Sequence, residues 1–324
     1  MPKIVFFVLI LSQFCTSQIK VIDSTSSYPV SYATISFGNG NGIFADDEGV
    51  FFFTEKLYPD IDSLYISALG FKDLTIATSN LSNTIKMLPH ADELDEVVIN
   101  VRRNRKYKKE TLKPYLDDDY YNSWLPTIES EIAVYFAKTS SKDQQISSVL
   151  FPIALESKDW KKRNRSNSEK KPFSTLFKVK FYANNKGYPG KVLTYQTIVF
   201  RATEKNGDVY ALDVNDYDLY VPNNGFFVSL QVLGYTDKSG KLLPNKKYKE
   251  IKSKNSVVKI PTNFRPLLPF TDEMDTKRTY VKRVFINGNE WLKFDNGNGF
   301  ESSLLKKNLF NYGIGITYKT FKDD

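Results

Sequence analysis

Cysteine and histidine are almost missing from this 324-residue chain, which holds one of each, Cys15 and His90. One histidine cannot build a His-based metal site or a Ser-His-Asp triad unless a nucleophile stands beside it, and His90 lies in a Pro-His-Ala stretch that reads as a turn. One cysteine forms no intrachain disulfide and no thiolate zinc site. No Walker loop, dinucleotide fingerprint or Gly-x-Ser-x-Gly elbow is present. No repeat of 20–50 residues occurs, which argues against propellers and solenoids. After the N-terminus, no apolar run approaches transmembrane length. Stability must therefore come from a packed core, and the chain is long enough for two domains.

The first seventeen residues read as a secretory signal. Lys3 supplies the positive region, Ile4 to Leu11 the apolar stretch, and Cys15-Thr16-Ser17 a small-residue cleavage site, so Gln18 is the expected mature N-terminus. The alternatives are a buried N-terminal strand and a lipoprotein acylated at Cys15, the latter weakened by Phe14 before the cysteine. Export places the chain in the periplasm or at the outer cell surface of a Gram-negative bacterium. It also argues against a nucleic-acid partner for the net charge of +8. That charge is concentrated in Arg102 to Lys109, Lys158 to Lys171 and Lys238 to Lys254. These runs read as solvated loops and a linker, with contact to an anionic polymer as the alternative.

From Ile19 to Val101, short alternating runs lie between turns. Strands are expected at 19–22, 32–37, 42–45, 50–54, 63–67, 74–78, 84–88 and 96–101, with Gly38–Gly42 and Asp46–Gly49 as turns. The Asp46-Asp47-Glu48 carboxylates lack the ligand spacing of a calcium loop and read as a solvated turn. Four ordered segments carry a resemblance: Pro29-Val30-Ser31-Tyr32-Ala33-Thr34-Ile35, Ala45-Asp46-Asp47-Glu48-Gly49-Val50-Phe51, Asp62 to Phe71, and Leu94-Asp95-Glu96-Val97-Val98-Ile99. Together they resemble the carboxypeptidase regulatory-like domain, departing at Ala45, where Thr is usual, and at Phe71, where Tyr is usual. The resemblance implies a transthyretin-like β-sandwich that is an accessory module without catalysis.

The remainder reads as a charged and aromatic linker over residues 102–128, followed by a second sandwich over 129–324. Too few residues remain for a receptor barrel. Candidate strands are 131–137, 146–154, 176–182, 196–201, 209–213, 225–232, 257–260, 280–286, 290–294 and 310–318. Val228, Leu230 and Val232 alternate with Ser229 and Gln231, a pattern that predicts one buried face. Phe177 to Tyr182, Gly187-Tyr188-Pro189-Gly190 and Val221 to Val228 loosely resemble the second domain of exported proteins that carry the same regulatory-like module. The fold class expected is all-β: a transthyretin-like sandwich over 18–101, then a jelly-roll-like sandwich.

These features predict an exported binding or assembly protein, not an enzyme, with no cofactor and with an envelope protein or glycan as partner. Carbohydrate binding linked to glycan uptake is the first alternative. A hydrolase with paired carboxylates is the second, although 37 acidic residues make such pairs common by chance. Aromatic residues reach 15%, and most belong in the core. The candidates for a ligand platform are Tyr120, Tyr121, Trp124 and Trp160, whereas Tyr188 reads as a residue of the Pro-Gly turn.

Overall fold

The computed structural model describes residues 18–322 except 39, 91–104, 118, 160, 162–167, 245–248, 253–256, 261, 275, 287 and 289. The chain is all-β, built of stacked sheets with one short α-helix and a few 3-10 turns among the described residues. The signal expected over 1–17 and the Leu94–Ile99 segment lie outside the described residues. No helix among those described is long and apolar enough to cross a membrane.

The N-terminal strands are β1 (Gln18–Asp23), β2 (Thr34–Ser36), β3 (Gly42–Phe44), β4 (Val50–Phe52), β5 (Ser63–Ser67), β6 (Leu74–Ala77) and β7 (Thr84–Met87). They form one sheet of order β4-β1-β7, with β1 antiparallel to β4 and parallel to β7. The second sheet, β3-β2-β5-β6, is antiparallel throughout. Period-2 alternation sends Ile19, Val21, Ile35, Leu64, Ile66, Ile85 and Met87 into a shared core. The expected turn at Asp46 forms as read. Oδ1 of Asp46 accepts from the backbone N–H of Glu48 (3.0 Å) and of Val50 (2.8 Å), and Gly49 takes φ +73.

The second sandwich comprises β8 (Tyr107–Leu112), β9 (Ser123–Trp124), β10 (Ser130–Phe136), β11 (Gln144–Pro152), β12 (Ser174–Asn185), β13 (Tyr188–Val192), β14 (Ile198–Thr203), β15 (Val209–Asp213) and β16 (Phe226–Tyr235). It continues with β17 (Lys249–Lys252), β18 (Val257–Ile260), β19 (Leu268–Thr271), β20 (Thr279–Arg283), β21 (Leu292–Lys293), α1 (Ser303–Lys306), β22 (Asn311–Tyr312) and β23 (Gly315–Phe321). A seven-stranded sheet runs β13-β12-β16-β10-β20-β21, with β14 also paired to β12. It faces a four-stranded sheet of order β15-β11-β23-β8. Between them lies the larger core, including Ile132, Val134, Phe177, Val179, Phe181, Val228 and Leu230 on one side and Val149, Phe151, Ile316 and Tyr318 on the other.

Three expectations need correction. Part of the supposed linker over 102–128 belongs to the second sandwich: Tyr107–Leu112 pairs with β23 as an edge strand, and Ser123–Trp124 pairs with β19. Lys108, Lys109 and Glu110 made this stretch look like a connector, yet charged side chains are how edge strands avoid unwanted partners. The Pro-Gly turn lies two residues earlier than expected. The chain reverses at Lys186 (φ 51) and Gly187 (φ 91), and Pro189 and Gly190 belong to β13, an edge strand where proline is tolerated. Finally, β16 is buried on both faces, because Ser229 and Gln231 are as inaccessible as Val228 and Leu230.

The two sandwiches pack against each other. Phe44 of β3 belongs to the larger core, with its ring 5.2 Å from that of Phe285. Ser36 Oγ donates to the Phe285 carbonyl (2.7 Å). A Cβ on Gly42 would collide with the Phe285 ring and the Ile35 carbonyl, so only glycine permits this approach. Lys241 reaches Asp46 (3.4 Å) and Glu48 (3.5 Å) across the same junction.

Candidate functional site

On β12, Phe177, Val179 and Phe181 point into the core, so Lys178, Lys180 and Tyr182 stand on the opposite face. Strand register extends this face sideways. Gln231 of β16 lies across from Lys178 on one side and from Glu131 of β10 on the other. Ser229 lies across from Lys180, and Lys282 of β20 across from Glu131. A charged strip thus crosses four neighbouring strands.

Glu131 sits at its centre, 3% exposed. Tyr182 Oη (2.9 Å) and Ser229 Oγ (2.6 Å) donate to its Oε1, and Lys180 Nζ lies 3.3 Å from Oε2. Burial alone would push this carboxyl up. Lys180, the hydroxyls of Ser229 and Tyr182, and Lys282 outweigh burial and hold it below its ordinary value. Tyr182 is pushed far up by burial and by the adjacent carboxylate. Lys282 is lowered, burial being the largest cause.

Lys178 is placed differently. Its ammonium donates to the backbone carbonyl of Tyr32 in the N-terminal sandwich (2.9 Å) and stands 5.9 Å from the Phe44 ring centroid. Neither partner carries a full negative charge. Burial, reinforced by repulsion from Lys180 and opposed by Glu131, lowers its pKa from 10.5 to about 7. Across from it in register, Nε2 of Gln231 is buried with no acceptor among the described residues.

The β12 end of this strip, Lys178, Lys180 and Tyr182, lines a cleft of about 660 Å³ between the two sandwiches. The N-terminal side contributes Tyr32, Thr34, Ser67, Phe71 and Asp73. The second sandwich contributes Lys178, Lys180, Tyr182, Val192 and Tyr195. The volume falls in the range typical of small-molecule sites, and polar groups on a partly apolar surface are the usual lining. On the same sheet face, an aromatic layer adjoins the charges. Tyr182 meets Trp291 edge-on (5.6 Å), Phe227 meets Tyr280 (5.3 Å), and the exposed Tyr188 meets Tyr280 (5.5 Å).

The candidates chosen from sequence lie elsewhere. Tyr120 and Tyr121 adjoin in a single 3-10 turn, their rings edge to face at 5.8 Å, and Lys307 approaches the ring of the exposed Tyr121. Trp124 is half-buried, its ring 5.7 Å from Phe270 and 5.2 Å from Phe294, so it serves the core and offers no open platform. Trp160 lies outside the described residues. Sequence reading missed the charged strip. Its signal was two lysines alternating with Phe177, Val179 and Phe181 in a long strand, next to the Ser229 and Gln231 alternation. Both patterns read as solvent faces until a second domain is known to cover them.

No known family matches this sequence, and no curated protein does. Two solved structures show a distant likeness. One is a clostridial cysteine protease, Cwp84, after propeptide cleavage: 12% identity, TM-score 0.35, over 65% of this chain and 40% of that one. The other contains the cysteine protease and lectin-like domains of Cwp84, a surface layer associated protein of Clostridium difficile: 9% identity, TM-score 0.34, over 94% of this chain and 63% of that one. This chain spans less than two thirds of either, and at such TM-scores the likeness carries no functional argument.

Proposed function

We propose that this is a binding protein of the bacterial envelope that acts without catalysis and holds a small ligand in the cleft between its two sandwiches. The observation that carries the reading is the cleft itself. It is built by both domains, is large enough for a small molecule, and mixes the charged and polar groups Lys178, Lys180, Tyr182 and Asp73 with apolar walls. Glu131 also fits a binding role, because its oxygens are engaged by Lys180, Tyr182 and Ser229. The periplasmic or surface location rests on the N-terminal signal reading, and the accessory role of the first sandwich on its regulatory-like motifs. A sugar ligand on the aromatic layer is the second reading, favoured by the exposure of Tyr188 beside Tyr280.

A melting-temperature screen of the chain from Gln18 against neutral and acidic sugars, small acids and glycans tests the proposal. A ligand present at a hundred times its Kd stabilises the folded state by about 2.7 kcal/mol. Ser67→Trp, which fills the cleft from β5, is expected to abolish the shift. A ligand whose shift survives that substitution binds outside the cleft and overturns the reading.

A further inference from the structure

We infer that the cleft holds an oxyanion site, in which Lys178, beside Lys180, receives one carboxylate or phosphate group of a small ligand. The inference rests on the reading of the cleft as the binding site and adds the chemistry of what enters it.

Three lysines reach one face of the sheet: Lys178 and Lys180 from β12, and Lys282 from β20. Glu131 from β10 stands among them, and Asp73 from the N-terminal sandwich acts on Lys282 from the cleft wall. Three ammonium groups against two carboxylates leave one positive charge in excess. The hydrogen bonds locate the excess. Lys180 has Glu131 at 3.3 Å, Lys282 feels both carboxylates, and Lys178 has a backbone carbonyl. A half-buried cation without a paired anion still carries a cost, and a charged ligand group is what relieves it.

The second observation is independent of charge. Gln231 is 2% exposed, and its side-chain nitrogen has no acceptor among the described residues. Buried donors are nearly always satisfied, and an orphan at a site suggests a missing partner. Gln231 occupies the register position between Lys178 and Glu131. An under-compensated ammonium in the cleft lining, with an orphan amide donor at the adjoining register position on β16, calls for an acceptor that is negatively charged. A neutral sugar answers the donor and leaves the charge. A metal cation answers neither. The half-apolar walls at Tyr32, Phe71 and Val192 add room for a ligand body beyond the charged group.

Acetate and inorganic phosphate are the smallest carriers of the two chemistries, and glucuronate paired with glucose tests charge on a larger body. Binding of each is followed by NMR on protein labelled at the lysine side chains. The expected result is that acetate, phosphate or both move the Lys178 signal and raise its pKa. Glucuronate is expected to bind at least about tenfold more tightly than glucose, as the loss of a charge-assisted contact implies. Lys178→Met should remove that preference. Without any substitution, acetate affinity should fall as the pH rises past the Lys178 pKa, since acetate keeps its charge there while Lys178, facing Lys180, Glu131, Lys282 and Asp73, loses its own. Phosphate binding without acetate binding would assign the site to phosphate esters, and the reverse to carboxylates. Glucose binding as tightly as glucuronate, lost in Ser67→Trp but kept in Lys178→Met, overturns the oxyanion site while leaving the cleft as the binding site. Binding unaffected by Ser67→Trp overturns the cleft reading instead. A Lys178 signal that neither anion moves also overturns the inference.

Discussion

Replacing Lys178 by methionine should make the protein more stable at pH 6 and leave it little changed at pH 10. In the unfolded chain this lysine titrates at its ordinary 10.5, and in the folded one at about 7. Between these values the unfolded state binds one more proton, so stability rises with pH by up to about 1.4 kcal/mol per unit from this residue. The cost to the folded state is fully present below pH 7 and relaxes as the pH climbs towards 10.5. Summed over that interval it reaches at most roughly 5 kcal/mol, and water entering the cleft reduces it. Methionine keeps the length of the side chain and never charges. It also loses the hydrogen bond to the Tyr32 carbonyl, a pH-independent loss of about 1 kcal/mol. Urea unfolding at pH 6 to 10, in buffers free of carboxylate and phosphate and read by tryptophan fluorescence, gives the difference between the two proteins at each pH. The difference should favour methionine most at the acid end and shrink above pH 7. A difference that stays constant with pH would refute the account of Lys178 as a half-buried, under-compensated cation.

Glu131→Gln removes the negative centre of the strip and leaves Lys180 and Lys282 facing a neutral amide. Breaking a buried pair in this way should lower stability by about 3–5 kcal/mol, measured as the urea midpoint at pH 7. Because the folded state holds Glu131 below its ordinary value, the wild type should lose this advantage as the pH falls through the acid range, and the two proteins should converge there. Phe44→Ala empties the contact with Phe285 at the junction, where the expected loss is about 3–5 kcal/mol, with faster proteolysis between the sandwiches as a second readout. Tyr312→Phe keeps a fully buried ring and deletes the hydroxyl that donates to the Pro152 carbonyl at 3.0 Å. Thermal unfolding should report a cost of about 1–3 kcal/mol from the carbonyl left unpaired.

Much of the fold was legible because alternation is a local signal. The strands at Ser63–Ser67, Ser130–Phe136 and Val209–Asp213 stand within a residue of where their apolar period puts them. Two of the misses share a cause. Tyr107–Leu112 and Tyr188–Val192 are edge strands, where lysine, proline and glycine serve the edge and weaken the pattern. The site was hidden for a different reason. Lys178, Gln231, Glu131 and Tyr32 come from distant parts of the chain, and only strand register and domain packing bring them together. Sequence choice favoured tryptophan and paired tyrosines as a platform, yet Trp124 went to the core because Phe270 and Phe294 were there to receive it.

The position of β23 has a consequence for how the chain is made. Gly315–Phe321 is the last strand described, yet it lies inside its sheet, between β11 and β8. The two neighbours are synthesised long before it and do not pair with each other. Each must therefore wait, with the edge that faces β23 open, until Gly315–Phe321 has emerged. Sheets closed by such distant pairings form slowly, and open strands are prone to aggregate in the interval. Lys108, Lys109 and Glu110 keep β8 soluble during this wait, so the charge that disguised this strand in the sequence also protects the unfinished chain.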